Sequence, residues 1–136
     1  MTSIRQNEEG NPKQKTVLVI EDDTCNAEML TLMLQQETPY SVISLTEDLE
    51  PTYLIRRVRE IDPALLLLDY RLPRTTGLEL YDRLQAIQEL QHIPTIVITA
   101  GIERDQQEEL EKRKIPLIYK PFEMDDFLRS IEEIIE

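Results

Sequence analysis

Short apolar runs alternate with longer stretches of helical periodicity along most of the chain. Each run has three or four residues, too few for a helix, and three runs are continuously apolar, which is typical of strands covered on both faces. A strand and a helix alternate five times, so the pattern predicts an α/β fold with a five-stranded parallel sheet, five helices and right-handed crossovers. The predicted strands span residues 17–20, 42–45, 65–68, 96–98 and 117–119.

Capping residues and prolines indicate where the first three helices begin. Asp23 or Thr24 precedes the first helical stretch and is predicted to cap it. Pro51 suits the first position of the second helix. The third opens with Thr76 and, three residues later, Glu79, which is the pairing of a capping box. The apolar stripe predicted for this third helix consists of Leu80, Tyr81, Leu84 and Ile87.

The fourth and fifth helical stretches differ in how many apolar side chains they offer. Beyond Ile102, the fourth stretch (103–114) has only Leu110 as an apolar anchor. We expect such an element to open or shift at low free-energy cost, although a solvated helix covering a sheet edge explains the pattern equally well. The fifth stretch is strongly amphipathic. Its apolar residues are Met124, Phe127, Leu128, Ile131, Ile134 and Ile135.

Length and composition narrow the classes of function. The 136 residues fit one domain, which we place at residues 15–136 after a flexible polar arm at residues 1–14. A net charge of −12 argues against nucleic-acid or anionic-membrane partners, and three widely spaced glycines exclude the familiar nucleotide-binding loops. The single Cys25 excludes an internal disulfide, and no apolar run approaches 18 residues. These features predict a cytoplasmic protein.

Polar residues follow four of the five predicted strands. Because the carboxyl ends of parallel strands share one edge of a sheet, where ligands bind in open α/β folds, we expect these groups to meet there. The residues are Glu21, Asp22 and Asp23 after the first strand, Asp69 after the third, Thr99 after the fourth and Lys120 after the fifth.

This set of side chains favours phosphoryl chemistry with a metal ion. Carboxylates gathered at one rim repel each other and suit a hard cation such as Mg²⁺, which prefers oxygen ligands. Lys120 and the Thr99 hydroxyl could then contact phosphoryl oxygens, while Asp69 acts as the nucleophile and forms an aspartyl phosphate. Asp23 has a purely structural alternative as the cap of the first helix.

Taken together, these motifs resemble the receiver domain of two-component response regulators, including the single-domain chemotaxis regulator. The resemblance covers residues 15–136 and implies a flavodoxin-like, doubly wound sheet with strand order 2-1-3-4-5. The matching motifs are VLVIEDD at 17–23, LLLLD at 65–69, Pro73, Gly77, Ile98-Thr99-Ala100 and Lys120-Pro121-Phe122.

The resemblance implies a phosphorylation-dependent signalling switch rather than an enzyme. Asp69 would accept a phosphoryl group from phosphohistidine on a sensor histidine kinase or a histidine phosphotransfer protein. A Mg²⁺ or Mn²⁺ ion would be held by Glu21, Asp22, Asp69 and the backbone carbonyl of Arg71, with Asp23 as a further candidate. The residues that would contact or accommodate the phosphoryl group are Thr99, Lys120 and Ala100.

The switch region departs from the family pattern. Leu117 occupies the position of the usual aromatic residue, and Tyr119, two residues later on the same side of the strand, is a candidate replacement. The length of the chain leaves no room for a second domain, so we expect output without a covalently attached effector domain. The resemblance implies a homodimer formed through the fourth helix, fifth strand and fifth helix.

Two other functions stay open at this point. A Mg²⁺-dependent phosphohydrolase or Toprim-like enzyme also gathers acids at strand ends, but both usually have an Asp-x-Asp pair, and Arg71 stands two residues after Asp69. A receiver-fold interaction module that does not switch is the other alternative; the substituted aromatic position at Leu117 favours it mildly.

Overall fold

The computed structural model describes residues 15–135, so the arm predicted at residues 1–14 lies outside the described residues. Five strands and five α-helices alternate as predicted. The strands are β1 (Thr16–Ile20), β2 (Ser41–Leu45), β3 (Leu65–Asp69), β4 (Thr95–Thr99) and β5 (Leu117–Tyr119). The helices are α1 (Thr24–Glu37), α2 (Pro51–Ile61), α3 (Gly77–Gln85), α4 (Arg104–Lys112) and α5 (Met124–Ile135).

All strand pairs are parallel, and the strands lie in the order β2-β1-β3-β4-β5, which confirms the predicted topology. Alternation along β3 directs Leu66 and Leu68 to one face of the sheet and Leu65 and Leu67 to the other, and all four are buried. One face packs against α2, α3 and α4, and the opposite face packs against α1 and α5. Helices on both sides explain why the strands are continuously apolar.

The predicted helix starts are confirmed by their caps. The Asp23 carboxylate caps α1, accepting from the backbone N–H of Asn26 at 3.0 Å. Pro51 is the first residue of α2, and Thr76 and Glu79 form both halves of the capping box that opens α3. Each cap pairs backbone N–H groups that have no partner within the helix.

Some element boundaries differ from the prediction. Asp69 and Thr99 are the last residues of β3 and β4 rather than the first residues after them. Helix α3 ends at Gln85, short of the predicted stripe, and a 3₁₀ turn at Gln88–Leu90 follows it. Side chains of Gln85 and Gln91 bond each other's backbone carbonyls across this turn, which stabilises the early helix end.

Helix α4 buries only Leu110, as its sequence indicates, but a polar contact holds its carboxyl end. The Arg113 guanidinium donates from Nε and Nη2 to the two carboxylate oxygens of Asp82 in α3, at 2.7 and 2.9 Å. Its Nη1 donates to Glu109 within α4. The weak anchoring predicted for α4 therefore applies to its apolar contacts, whereas its carboxyl end is tied to α3.

Candidate functional site

The carboxyl ends of the central strands bring the predicted site residues together. Ile20 of β1 pairs in register with Leu68 of β3, so Glu21 and Asp69 lie side by side, one residue beyond. Thr99 of β4 pairs with Tyr119 of β5, and Lys120 follows directly. The Lys120 backbone N–H donates to the Thr99 carbonyl at 2.8 Å, which continues this pairing past the strand end.

Three carboxylates form a compact group at this edge. Glu21, Asp22 and Asp69 each offer an oxygen, and these oxygens lie within 4.8 Å of one another. Glu21 is buried with 2% of its surface exposed, Asp69 is half-buried and Asp22 is exposed, so the group opens to solvent on one side. Such an opening leaves space for the waters that Mg²⁺ usually retains.

Lys120 compensates part of the acidic charge. Its ammonium lies 3.1 Å from Glu21 Oε1, and this ion pair is largely buried. Burial alone would raise the pKa of Glu21, but a hydrogen bond with Asp69 and the Lys120 ammonium hold that pKa below its usual value. Among the described residues, Glu21 Oε2 is buried without a hydrogen-bond partner.

The arrangement disfavours the ionised form of Asp69. Burial, together with the neighbouring Glu21 carboxyl group, raises the pKa of Asp69 to about 7. One backbone N–H, that of Arg71, donates to Asp69 Oδ1 at 3.2 Å. The single Lys120 ammonium is too little positive charge for two adjacent carboxylates, so bringing a cation to the site would restore the ionised form of Asp69.

The donor set fits a divalent cation. Three carboxylates with one unpaired buried oxygen supply the hard oxygen ligands that Mg²⁺ and Mn²⁺ favour. Asp23 lies outside this group of three, because its carboxylate caps α1. Asp23 thus has the structural role that the sequence offered as its alternative.

Thr99 and Arg71 meet at a backbone carbonyl that the sequence did not indicate. The buried Thr99 hydroxyl donates to the Gly101 carbonyl at 3.2 Å and accepts from the Gly101 N–H at 3.3 Å. The exposed Arg71 side chain donates from Nη2 to the same carbonyl at 3.2 Å. A backbone acceptor has no sequence signal, since every residue carries one.

Gly77 allows the loop after Asp69 to fold back tightly. A Cβ at this position would lie 3.0 Å from the Asp69 carbonyl oxygen and 3.2 Å from Tyr70 Cα. The Gly77 N–H also donates to the Tyr70 carbonyl at 2.7 Å. The glycine is therefore required by a close backbone approach directly beside the candidate site.

The switch-region candidates lie at the β4 and β5 ends of the sheet. Ala100 is exposed next to Thr99. Leu117 is half-buried against the face that carries α2, α3 and α4, whereas Ile118 packs on the opposite face. Tyr119 points to the Leu117 side by alternation and has 43% of its surface exposed.

Comparison with known proteins agrees with the site. Residues 17–132 match the family model described as "Response regulator receiver domain". The polar-differentiation response regulator DivK of Brucella ovis is 30% identical over 122 residues, covering 89% of this chain and 96% of the relative. The chain covers nearly the whole length of this relative.

Two solved structures share the fold. Chemotaxis protein CheY4 of Vibrio cholerae superposes with a TM-score of 0.77 at 16% identity, covering 90% of this chain and 99% of its own. A CheY-like receiver domain protein of Methanospirillum hungatei gives 0.78 at 21% identity, with 90% and 94% covered. Receiver domains are phosphorylation-dependent signalling switches rather than classical enzymes. The acidic group, the strand order and the match over residues 17–132 all agree, and the chain belongs to the response regulator receiver domain family.

Proposed function

We propose that Asp69 is the phosphoacceptor of this receiver domain. The observation that carries the proposal is the grouping of Asp69 with two further acids, beside the buried ion pair of Lys120 with Glu21. Asp69 is half-buried at the end of a central strand, with one oxygen oriented by the Arg71 N–H. The site therefore combines a positioned carboxylate with groups suited to neutralise an incoming phosphoryl group.

In the proposed reaction, a carboxylate oxygen of Asp69 attacks the phosphorus of a phosphohistidine. A phosphorus–oxygen bond forms and the phosphorus–nitrogen bond breaks, with its electron pair returning to the imidazole of the donor. Lys120 moves from Glu21 to pair with a phosphoryl oxygen, and the Thr99 hydroxyl donates to another. Ala100, with its small side chain, leaves room beside Thr99.

A divalent cation, Mg²⁺ or Mn²⁺, would be held by Glu21, Asp22, Asp69 and the Arg71 backbone carbonyl. When bound, it supplies the positive charge that two adjacent carboxylates and a phosphoryl group require. Asp22 is the exposed member of the group and Glu21 the buried one. We assign Asp22 the direct ligand role and Glu21 the role of pairing either the cation or Lys120.

The phosphodonor is proposed to be a sensor histidine kinase or a histidine phosphotransfer protein, since the family accepts phosphoryl groups from such partners. We also propose a cytoplasmic location and a homodimer through α4, β5 and α5. Within residues 15–135, no helix is long and apolar enough to cross a membrane. Tyr119 is proposed to take the place of the switch aromatic that Leu117 cannot supply.

Intact mass after incubation with a small phosphodonor and Mg²⁺ tests the assignment. We expect one phosphoryl adduct, stable in acid and labile in base, in the wild type and in the control Asp125→Asn, which removes an exposed acid from α5. The adduct should be lost in Asp69→Asn. Phosphate release without an adduct would indicate a phosphohydrolase instead. If neither an adduct nor phosphate release is observed, the protein is a module that does not switch.

Thermal melting with Mg²⁺ tests the metal assignment separately. Because the cation binds only the folded site, the midpoint should rise with the logarithm of Mg²⁺ concentration in the wild type. Asp22→Asn should flatten this dependence, whereas Asp125→Asn should retain it. A wild-type midpoint that does not respond to Mg²⁺ would contradict a metal site at these carboxylates.

A further inference from the structure

The Arg71 side chain joins the loop that follows Asp69 to the loop that follows Thr99. Its Nη2 donates to the Gly101 carbonyl at 3.2 Å. The Thr99 hydroxyl donates to the same oxygen, also at 3.2 Å. Gly101 therefore receives hydrogen bonds from two residues, one at each side of the candidate site.

The Arg71 end of this link is held in place by its backbone. The Arg71 N–H donates to Asp69 Oδ1, and Arg71 forms an antiparallel bridge with Thr76. The Gly77 N–H closes the same loop onto the Tyr70 carbonyl at 2.7 Å. The guanidinium thus extends from a loop with well-paired backbone groups.

The Gly101 end of the link has fewer contacts. A Cβ built on Gly101 would meet nothing within 4 Å, so this side of the residue faces open space, although the next residue, Ile102, packs against the core. It leads into α4, which buries only Leu110 along its length. A hydrogen bond between a fixed loop and a loosely packed one biases the position of the second.

The shared carbonyl connects this link to Thr99. A hydroxyl group has a single hydrogen, so Thr99 cannot donate to Gly101 and to a phosphoryl oxygen at the same time. The Thr99 bond to Gly101 consequently belongs to the state without a phosphoryl group, and it is in this arrangement that Arg71 bonds the same carbonyl. An interaction made in one state shifts the equilibrium toward that state.

We propose that Arg71 is a positioning residue that holds the loop between β4 and α4 in its unphosphorylated arrangement through the Gly101 carbonyl. This inference rests on the proposed role of Asp69. Removing the guanidinium while keeping the side-chain bulk is therefore expected to favour the switched arrangement of Thr99 and its loop.

The test compares Arg71→Met with Arg74→Met in the full chain by ¹H–¹⁵N NMR. Arg74 is exposed in the same loop, so its variant removes the same charge without removing the link to Gly101. Without phosphodonor or metal, Arg71→Met should broaden the amide signals of Thr99 and Gly101 by exchange. Beryllofluoride, a phosphoryl mimic, should then switch Arg71→Met with Mg²⁺ at roughly two- to tenfold lower concentration, the range of one net hydrogen bond. Arg74→Met should match the wild type.

Three results would overturn the inference. These are loop amides in Arg71→Met that match the wild type, a beryllofluoride midpoint that rises, and an equal effect from Arg74→Met, which would assign the effect to charge alone. If the wild type itself does not respond to beryllofluoride, the proposed role of Asp69 fails. The amide comparison made without the mimic then still decides whether Arg71 holds the loop.

Discussion

Helices α4 and α5 each follow a residue of the candidate site, but they are held by different forces. Helix α5 buries Phe127 and Ile131, and the Phe127 ring stacks on Phe122 with centroids 4.8 Å apart. Helix α4 buries Leu110 alone and is tied to α3 by the ion pair of Arg113 with Asp82. Apolar burial anchors α5 along its length, whereas a polar contact anchors α4 at its carboxyl end.

The contrast explains how one site can combine a rigid part and a movable part. Lys120 precedes the firmly packed α5 and is itself paired with buried Glu21. Thr99 precedes a loop and a helix with few apolar contacts, so displacing them removes little buried surface. We conclude that Lys120 is followed by a firmly packed helix, whereas Thr99, itself at the buried end of β4, is followed by a loop and a helix that move at lower cost.

The largest expected effect is on the α5 side. Phe127→Ala should lower the free energy of unfolding by about 3–5 kcal/mol, because it leaves a large cavity in a fully buried position. Met124→Ala, which truncates a side chain in the same helix that is 44% exposed, should cost about 0.5 kcal/mol or less. Urea unfolding measures both. Equal losses in the two variants would contradict apolar anchoring of α5.

Leu110→Ala makes the matching change in α4 and should lower the free energy of unfolding by about 2–4 kcal/mol. Because Leu110 is the one buried side chain of this helix, the variant should open α4 locally before the domain unfolds. Native-state hydrogen exchange should show fast exchange of α4 amides while α5 amides stay protected. Loss of protection in both helices together would show that they form one cooperative unit.

The stability of the fold should depend on pH through Asp69, at the end of β3. The pKa of Asp69 is raised from 3.8 to about 7, so the folded state holds this proton more tightly than the unfolded state and loses stability as pH rises across that interval. After a discount for solvent screening, Asp69→Asn should stabilise the metal-free protein by about 1–3 kcal/mol at pH 8.

Urea unfolding from pH 4 to pH 8 measures this difference. The difference should shrink as pH falls toward 4, because the unfolded-state carboxyl group, with its ordinary pKa of 3.8, begins to take up the proton that the folded state already holds. Mg²⁺ should stabilise the wild type more than the variant. Asp125→Asn serves as the control for an exposed acid. A constant difference between Asp69→Asn and the wild type across this range would contradict the raised pKa.

The smallest expected effect concerns the polar anchor of α4. Arg113→Met should lower the free energy of unfolding by about 0.2–1 kcal/mol, since the bidentate pair with Asp82 is partly exposed, and this loss should fall with added salt. A double-mutant cycle with Asp82→Asn measures the coupling directly. Arg129→Met, which breaks the exposed pair with Asp126 in α5, is the matched control and should change stability less. If the cycle shows no coupling between Arg113 and Asp82, the claim that this ion pair anchors α4 is wrong.

Much of the fold follows from local pattern. Continuous apolar runs such as 65–68 predict buried parallel strands, and caps such as Thr76 with Glu79 predict helix starts, because both depend on residues close in sequence. The end of α3 at Gln85 was not predictable in this way. It depends on mutual hydrogen bonds with Gln91, which form only once the 3₁₀ turn brings the two residues together.

The sequence by itself determined the strand and helix order, and with it the grouping of Glu21, Asp22, Asp69, Thr99 and Lys120, because parallel strands deliver their carboxyl ends to one edge. Only the tertiary structure decided how these groups interact. The pKa of Asp69 depends on burial and on a neighbouring carboxyl group, and the Arg113 contact joins residues 31 positions apart. Such effects depend on distances of a few ångströms between side chains, which residue order does not encode.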